Sequence, residues 1–167
     1  MKRGGDGMKG IERIKKDGFT VIGKKGLGRA DQGSEWVPPL WDQMNEEFDE
    51  LIPVIKTDEE GSILHMWGLM SDAETWLLPW QAEGLYLAGI EADPAAEAPH
   101  GFTKWEWPAF EYFTVKTDMD HYQEAMQVML TEVLPDEGEK LVGPVIEFYR
   151  PSFAEDELML YFPIKKL

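Results

Sequence analysis

Glu147 sits in the middle of Val145-Ile146-Glu147-Phe148-Tyr149, a run whose other four residues all favour a half-buried strand. Side chains alternate along a strand, so Val145, Glu147 and Tyr149 share one surface while Ile146 and Phe148 share the other. The Ile146 and Phe148 surface reads as core. A lone acid with aromatic company on the first surface is costly to desolvate unless positive charge or hydrogen-bond donors meet it. That combination points to a pocket for a lipophilic cation, with Glu147 as counter-charge and Tyr149 beside it. The other reading of the same residues is a solvated sheet face, since antiparallel sheets often leave one surface wet.

Other candidates for chemistry are weaker. Gly23-Lys24-Lys25-Gly26-Leu27-Gly28 has the glycines and lysines of a phosphate loop but lacks its Gly-Lys-Ser/Thr ending and the dinucleotide spacing, and reads as a flexible connection. His65, His100 and His121 are scattered and form no His-x-x-x-His pair, so no metal site and no cofactor are expected. Ser34, Ser62, Ser71 and Ser152 lack a nucleophile-elbow context. The absence of cysteine excludes disulfides, thiolate metal sites and a cysteine nucleophile.

Composition narrows the class further. With 167 residues, 43% hydrophobic and 12% aromatic, the chain can bury one core. No stretch approaches the roughly 20 apolar residues of a membrane span, and residues 1–10 hold no apolar run of a secretion signal, so no membrane contact and a cytoplasmic location are expected. The net charge is −16. Residues 1–30 carry nine Lys/Arg against three acids, leaving seven basic and 29 acidic residues beyond, a net of −22. Such a body repels phosphate backbones and concentrates cations, which argues against direct nucleic-acid binding. Residues 1–17, basic and Gly-rich, read as a flexible N-terminal segment.

The elements that must position Glu147 follow from periodicity. Phe19-Thr20-Val21-Ile22-Gly23 reads as a strand, followed by a Gly-rich loop through Gly33. A helix over 36–52, with Ser34 as cap and Pro38 and Pro39 in its first turn, places Leu40, Trp41, Met44, Phe48, Leu51 and Ile52 on one stripe. A turn at Asp58-Glu59-Glu60-Gly61 precedes strands at 63–70 and 85–92, joined by a connection in which Trp76 and Trp80 either form a lid or seal the core edge. After a Pro- and Ala-rich loop the order repeats: strand at 103–107 and 109–116, a helix capped by Asp118 or Asp120 and broken at Pro135 to Gly138, and strands at 142–150 and 157–164. Trp105 and Trp107 share a face and read as core. The chain is thus an α+β fold of duplicated strand-helix-strand-strand repeats, about 18–93 and about 102–167. Paired edge to edge, they make a curved antiparallel sheet with two main helices and a central ligand crevice.

Six segments occur in an order that resembles a known family: Val37-Pro38-Pro39-Leu40-Trp41, Trp67-Gly68, Tyr86-Leu87-Ala88-Gly89-Ile90-Glu91, Gly101-Phe102 leading to Trp107-Pro108-Ala109, Ile146-Glu147-Phe148-Tyr149-Arg150-Pro151, and Leu160-Tyr161-Phe162-Pro163-Ile164. Together they resemble the GyrI-like small-molecule-binding family, which also supplies the effector-binding domain of AraC-type and MerR-type multidrug regulators. The likeness spans 18–167. It implies two strand-helix-strand-strand repeats and a lipophilic cation held between aromatic rings above a buried glutamate. Carried over residue by residue, that glutamate is Glu147, and the aromatic positions are Trp41, Trp67 and Tyr122. Thr117 stands where an aromatic ring is expected. Glu91, on one strand face with Leu85, Leu87 and Gly89, matches the acid of the family's Ala-Gly-x-Glu pattern, as a second pocket carboxylate or a structural acid.

The resemblance leaves three functions open. The first is binding of hydrophobic, cationic small molecules by a free-standing member, for sequestration or sensing. The second is hydrolysis of cyclopropane rings of DNA-alkylating natural products, with Glu91 or Glu147 activating water. The third is a protein-interaction role, in which the acidic surface contacts a DNA-binding enzyme such as gyrase.

Overall fold

The computed structural model describes residues 9–55, 65–151 and 153–167. The expected turn at Asp58–Gly61, the start of the second strand at Ile63, and Ser62 and Ser152 lie outside the described residues. Eight strands form one open, curved antiparallel sheet: β1 (Lys9–Lys16), β2 (Phe19–Arg29), β3 (Met66–Asp72), β4 (Glu83–Ala92), β5 (Thr103–Trp107), β6 (Phe110–Asp118), β7 (Ile146–Tyr149) and β8 (Glu157–Lys166). Between β2 and β3 lie α1 (Gly33–Trp36), α2 (Pro38–Glu46) and a 3₁₀ segment, Phe48–Val54. Between β6 and β7 lies α3 (Tyr122–Val128), which runs through a π-helical turn, Met129–Val133, into α4 (Leu134–Asp136). Among the described residues no helix is long and apolar enough to cross a membrane.

The strand order β1-β6-β8-β7-β3-β4-β2-β5 reads the same from either end once β1 is exchanged with β5, β2 with β6, β3 with β7 and β4 with β8. The duplicated α+β architecture is therefore present, and its pseudo-twofold axis falls between β3 and β7. There Met66, Trp67 and Gly68 face Tyr149, Phe148 and Glu147 in register. Each repeat also has a fifth element. The first strand of each half pairs with the other half, β1 with β6 and β5 with β2.

That exchange corrects the reading of 1–17 as a flexible segment for its second half, where Lys9–Lys16 is a sheet strand; residues 1–8 lie outside the described residues. Its two isoleucines stand three apart, so Ile11 and Ile14 point to opposite faces and pack on different clusters, and a bulge interrupts the register between Lys9 and Glu12. No alternating stripe was available to read. The basic residues themselves hold the strand. Arg13 donates to Glu111 at 2.6 Å and lies over the Phe113 ring, and Lys16 Nζ stands 4.5 Å from the Phe19 ring centre.

The Gly-rich stretch is likewise strand and not loop, since β2 continues to Arg29. Gly26 and Gly28 of β2, like Gly84 of β4, are seats for large side chains lying on the sheet. A Cβ at Gly26 would come within 2.7 Å of Leu40, one at Gly28 within 2.5 Å of Trp36, and one at Gly84 within 2.3 Å of Trp80. Trp36 and Trp80 then stack at 5.3 Å. Trp80 thereby packs against the core cluster under α2. Trp76, 47% exposed, packs edge-on against Trp105 and Trp107, which are core as expected.

The single helix expected over 36–52 is broken. Pro38 and Pro39 start a new helix at α2, Ser34 lies inside α1 without capping it, and the 3₁₀ turn shifts the phase of the stripe. Leu40, Met44 and Leu51 stay buried while Ile52 turns out to 56% exposure. In the second half Asp118 is the cap, accepting from the backbone N–H of His121. The expected strand at 142–150 contracts to β7, Ile146–Tyr149.

The helices cover one face of the sheet. Ile22, Tyr86, Ala88 and Ile90 pack under α2, and Phe113, Val115, Leu158, Leu160 and Phe162 under α3. The opposite face carries Phe19, Trp67, Leu69, Leu87, Tyr112, Ile146, Phe148 and Tyr161. Glu147 lies on the helix-covered face, at the seam between the two halves.

Candidate functional site

Alternation in β7 sends Phe148 to the helix-free face and Glu147 with Tyr149 to the helix-covered one. The Glu147 side chain is 7% exposed. Three phenols meet it. Oε1 accepts from Tyr86 at 2.5 Å and from Tyr149 at 2.8 Å, and Oε2 accepts from Tyr122 at 2.5 Å. Tyr86 in turn accepts from Trp41 Nε1 at 3.0 Å. Trp41 and Tyr86 come from the first half, Tyr122 and Tyr149 from the second, so the carboxylate joins the two repeats at their axis. Among the described residues no Lys, Arg or His is paired with it.

The electrostatics follow from burial. Desolvation pushes the Glu147 carboxyl above its usual range, and the hydrogen bonds from Tyr122, Tyr86 and Tyr149 pull it partly back. Tyr86, Tyr122 and Tyr149 are all raised by burial and then by the adjacent carboxylate. The phenols therefore stay protonated and act as donors. Gly68 makes the cluster possible: it faces Glu147 across the β3–β7 pair, and a Cβ there would stand 2.0 Å from the Tyr86 oxygen and 2.6 Å from Glu147 Oε1.

Next to this cluster lies a recess of about 190 Å³ lined by Trp41, Asn45, Met66 and Tyr149. The Trp41 ring meets Tyr149 edge-on at 5.2 Å and Tyr86 at 6.5 Å. Trp41 and Tyr149 thus belong to the recess, and Tyr149 to the hydrogen-bonded cluster as well. Tyr122 opens α3 directly after a 3₁₀ turn, Met119–His121, which Asp118 caps.

Four of the six residues singled out from sequence, Trp41, Tyr122, Glu147 and Tyr149, are thus brought together. Trp67 and Glu91 are not. Trp67 is in register with Phe148 and shares its face, packed against Phe19, Phe148 and Tyr161, so it lies across the sheet from Glu147. Its indole donates to Glu91 at 3.0 Å, and Lys16 Nζ and His65 Nδ1 stand 3.8 and 3.7 Å from the same carboxylate. Glu91 is an acid of the opposite face. Burial lowers the His65 pKa, with Glu91 opposing it. Thr117 is buried in β6 opposite Leu158. Asp118, Asp120 and Asp156 also converge near the α3 start, but Asp118 is already engaged by His121 at 2.7 Å.

Tyr86 is the residue that sequence reasoning missed. It shares a face with Ala88 and Ile90, and a buried tyrosine hydroxyl requires a partner, a signal that strand parity alone carried. Asn45 and Met66 in the recess carried no comparable signal.

The duplicated sheet, its covering helices and the seam between them define a GyrI-like effector-binding domain. The chain belongs to the Cass2 family of integron-associated effector binding proteins, whose profile matches residues 13–164. Among solved structures it is similar to the integron cassette protein VCH_CASS2 of Vibrio cholerae, at 12% identity and a TM-score of 0.66, covering 95% of this chain and 97% of that one. It is also similar to SAV2435 bound to tetraphenylphosphonium, at 10% identity and a TM-score of 0.68, with 94% of each chain covered. A third is the EcmrR C-terminal domain, at 16% identity and a TM-score of 0.63, covering 96% and 99%. At these identities the likeness establishes the fold. No curated protein matches the chain.

Proposed function

We propose that the protein binds hydrophobic cations in the recess beside Glu147, with Glu147 as counter-charge, the rings of Trp41 and Tyr149 as walls and Tyr122 holding the carboxylate from behind, and that it serves to sequester or sense such molecules in the cytoplasm. One observation carries the reading: a buried carboxylate, held by three phenols and by no basic side chain among the described residues, at the seam of an effector-binding fold. A buried anion without a cation is costly, and an incoming cation relieves that cost. Each desolvated cation–ring contact adds roughly 0.5–2 kcal/mol. The relative bound to tetraphenylphosphonium supports this ligand chemistry by analogy.

At about 190 Å³ the recess is smaller than the roughly 300–1,000 Å³ of drug-sized sites, so a bulky guest requires Trp41 and Tyr149 to part. The test is Glu147→Gln measured by calorimetry against matched cationic and neutral aromatic ligands. The cationic ligand should lose about tenfold or more in affinity and the neutral one little. Equal losses would reject the counter-charge role.

A further inference from the structure

The hydrogen-bond inventory of Glu147 says more about the guest than that it is positive. An ionised carboxylate offers about four lone-pair sites. Here both sites of Oε1 are taken, by Tyr86 and Tyr149, and one of Oε2 is taken by Tyr122. One charged acceptor site remains. The other side-chain oxygens at hand, those of the phenols and of the Asn45 amide in the recess, are neutral acceptors, and the Tyr86 oxygen already accepts from Trp41 Nε1. The site therefore presents negative potential and ring faces while its charged hydrogen-bonding capacity is nearly spent.

We infer that the tyrosine sheath of Glu147 selects quaternary onium cations, which carry no N–H, over protonated amines of the same skeleton. This rests on the proposed cation-binding role. A primary ammonium brings three donors and a strongly held water shell into a buried site with one carboxylate lone pair, and each unmet donor opposes binding. A quaternary ammonium or phosphonium has no donor to satisfy and is attracted by the ring faces and the net charge alone. On the other face a carboxylate does stand near a primary ammonium: Lys16 Nζ lies 3.8 Å from Glu91 Oε1 and over the Phe19 and Trp67 rings. Tyr122 and Tyr149 are thus the specificity-determining residues, acting through the acceptor sites they occupy.

The experiment is calorimetric titration of the full chain with three biphenylmethyl probes: the trimethylammonium, the primary ammonium and the neutral tert-butyl isostere. Wild type should bind the trimethylammonium about tenfold or more tighter than the primary ammonium. Tyr149→Phe, which frees a lone pair on Oε1 while keeping the ring, should cut that ratio about threefold or more by recovering ammonium binding; Tyr122→Phe should do the same through Oε2. Because the probes differ equally in apolar surface for every variant, the change in ratio isolates the hydrogen-bonding term. Ammonium binding as tight as the quaternary in wild type, or a ratio unmoved in both folded variants, overturns the sheath argument while leaving the counter-charge reading standing. A neutral isostere as tight as the quaternary removes the counter-charge reading itself, and the preference with it.

Discussion

Glu147 is held by donors that are themselves neutral, and the consequence is a pH-dependent stability with a definite sign. Burial raises its pKa in the folded chain, so between the ordinary glutamate value and the raised one the folded form keeps a proton that the unfolded form has lost. Stability is then greatest below that window and falls as pH rises through it. Glu147→Gln should melt a few degrees above wild type at neutral pH, with the gap closing as pH is lowered through the window in a series of thermal melts; a lower melting temperature at every pH would contradict this. A bound cation lowers the carboxyl pKa again, so affinity should weaken as pH falls through the same window. Gly68 makes the opposite case. A methyl group there would collide with Tyr86 and Glu147, so Gly68→Ala should cost about 1–3 kcal/mol in urea unfolding and weaken cation binding. At this scale the sequence showed Glu147 and Tyr149 through parity, and the family likeness supplied Trp41 and Tyr122. Trp67 and Glu91 were placed with them because ordered motifs do not reveal faces. Only the register of Trp67 with Phe148 shows that they belong across the sheet.

The elements show where local rules were sufficient and where packing overrode them. Strands such as β4, β6 and β8 were legible within a few residues, because each is a short run rich in apolar and aromatic residues bounded by turn signals. The glycines of β2 were not, since Gly in a strand ordinarily signals a break and here it makes room for Leu40 and Trp36. Gly84 obeys the same logic under Trp80. Gly84→Ala should therefore cost about 1–3 kcal/mol, or about 2–4 °C in melting temperature per kcal/mol, while leaving cation affinity unchanged, because Trp80 lies outside the recess. An unchanged melting temperature would show that the indole has other seats. β1 escaped notice for a different reason: its apolar residues serve both faces, and Arg13 is held by Glu111 and Phe113, which are far away in sequence.

The molecule as a whole carries −16, and the recess lies in that field. Cations should be drawn to it at long range when the Debye length is about 30 Å, near 0.01 M salt, and much less when it is about 8 Å, near 0.15 M. Stopped-flow association of a cationic dye should slow markedly across that range while a neutral analogue is unaffected; parallel behaviour would assign the charge to solubility alone. The duplication places the site on the axis, where donors from both halves meet one carboxylate. The most direct measurement is a crystal structure of the protein with tetraphenylphosphonium. The cation is expected between Trp41 and Tyr149 with its phosphorus facing Glu147, and with the two rings parted from their present 5.2 Å edge contact. A cation found instead on the Trp67 and Glu91 face, with the tyrosine bonds to Glu147 intact and the recess unchanged, would contradict the account.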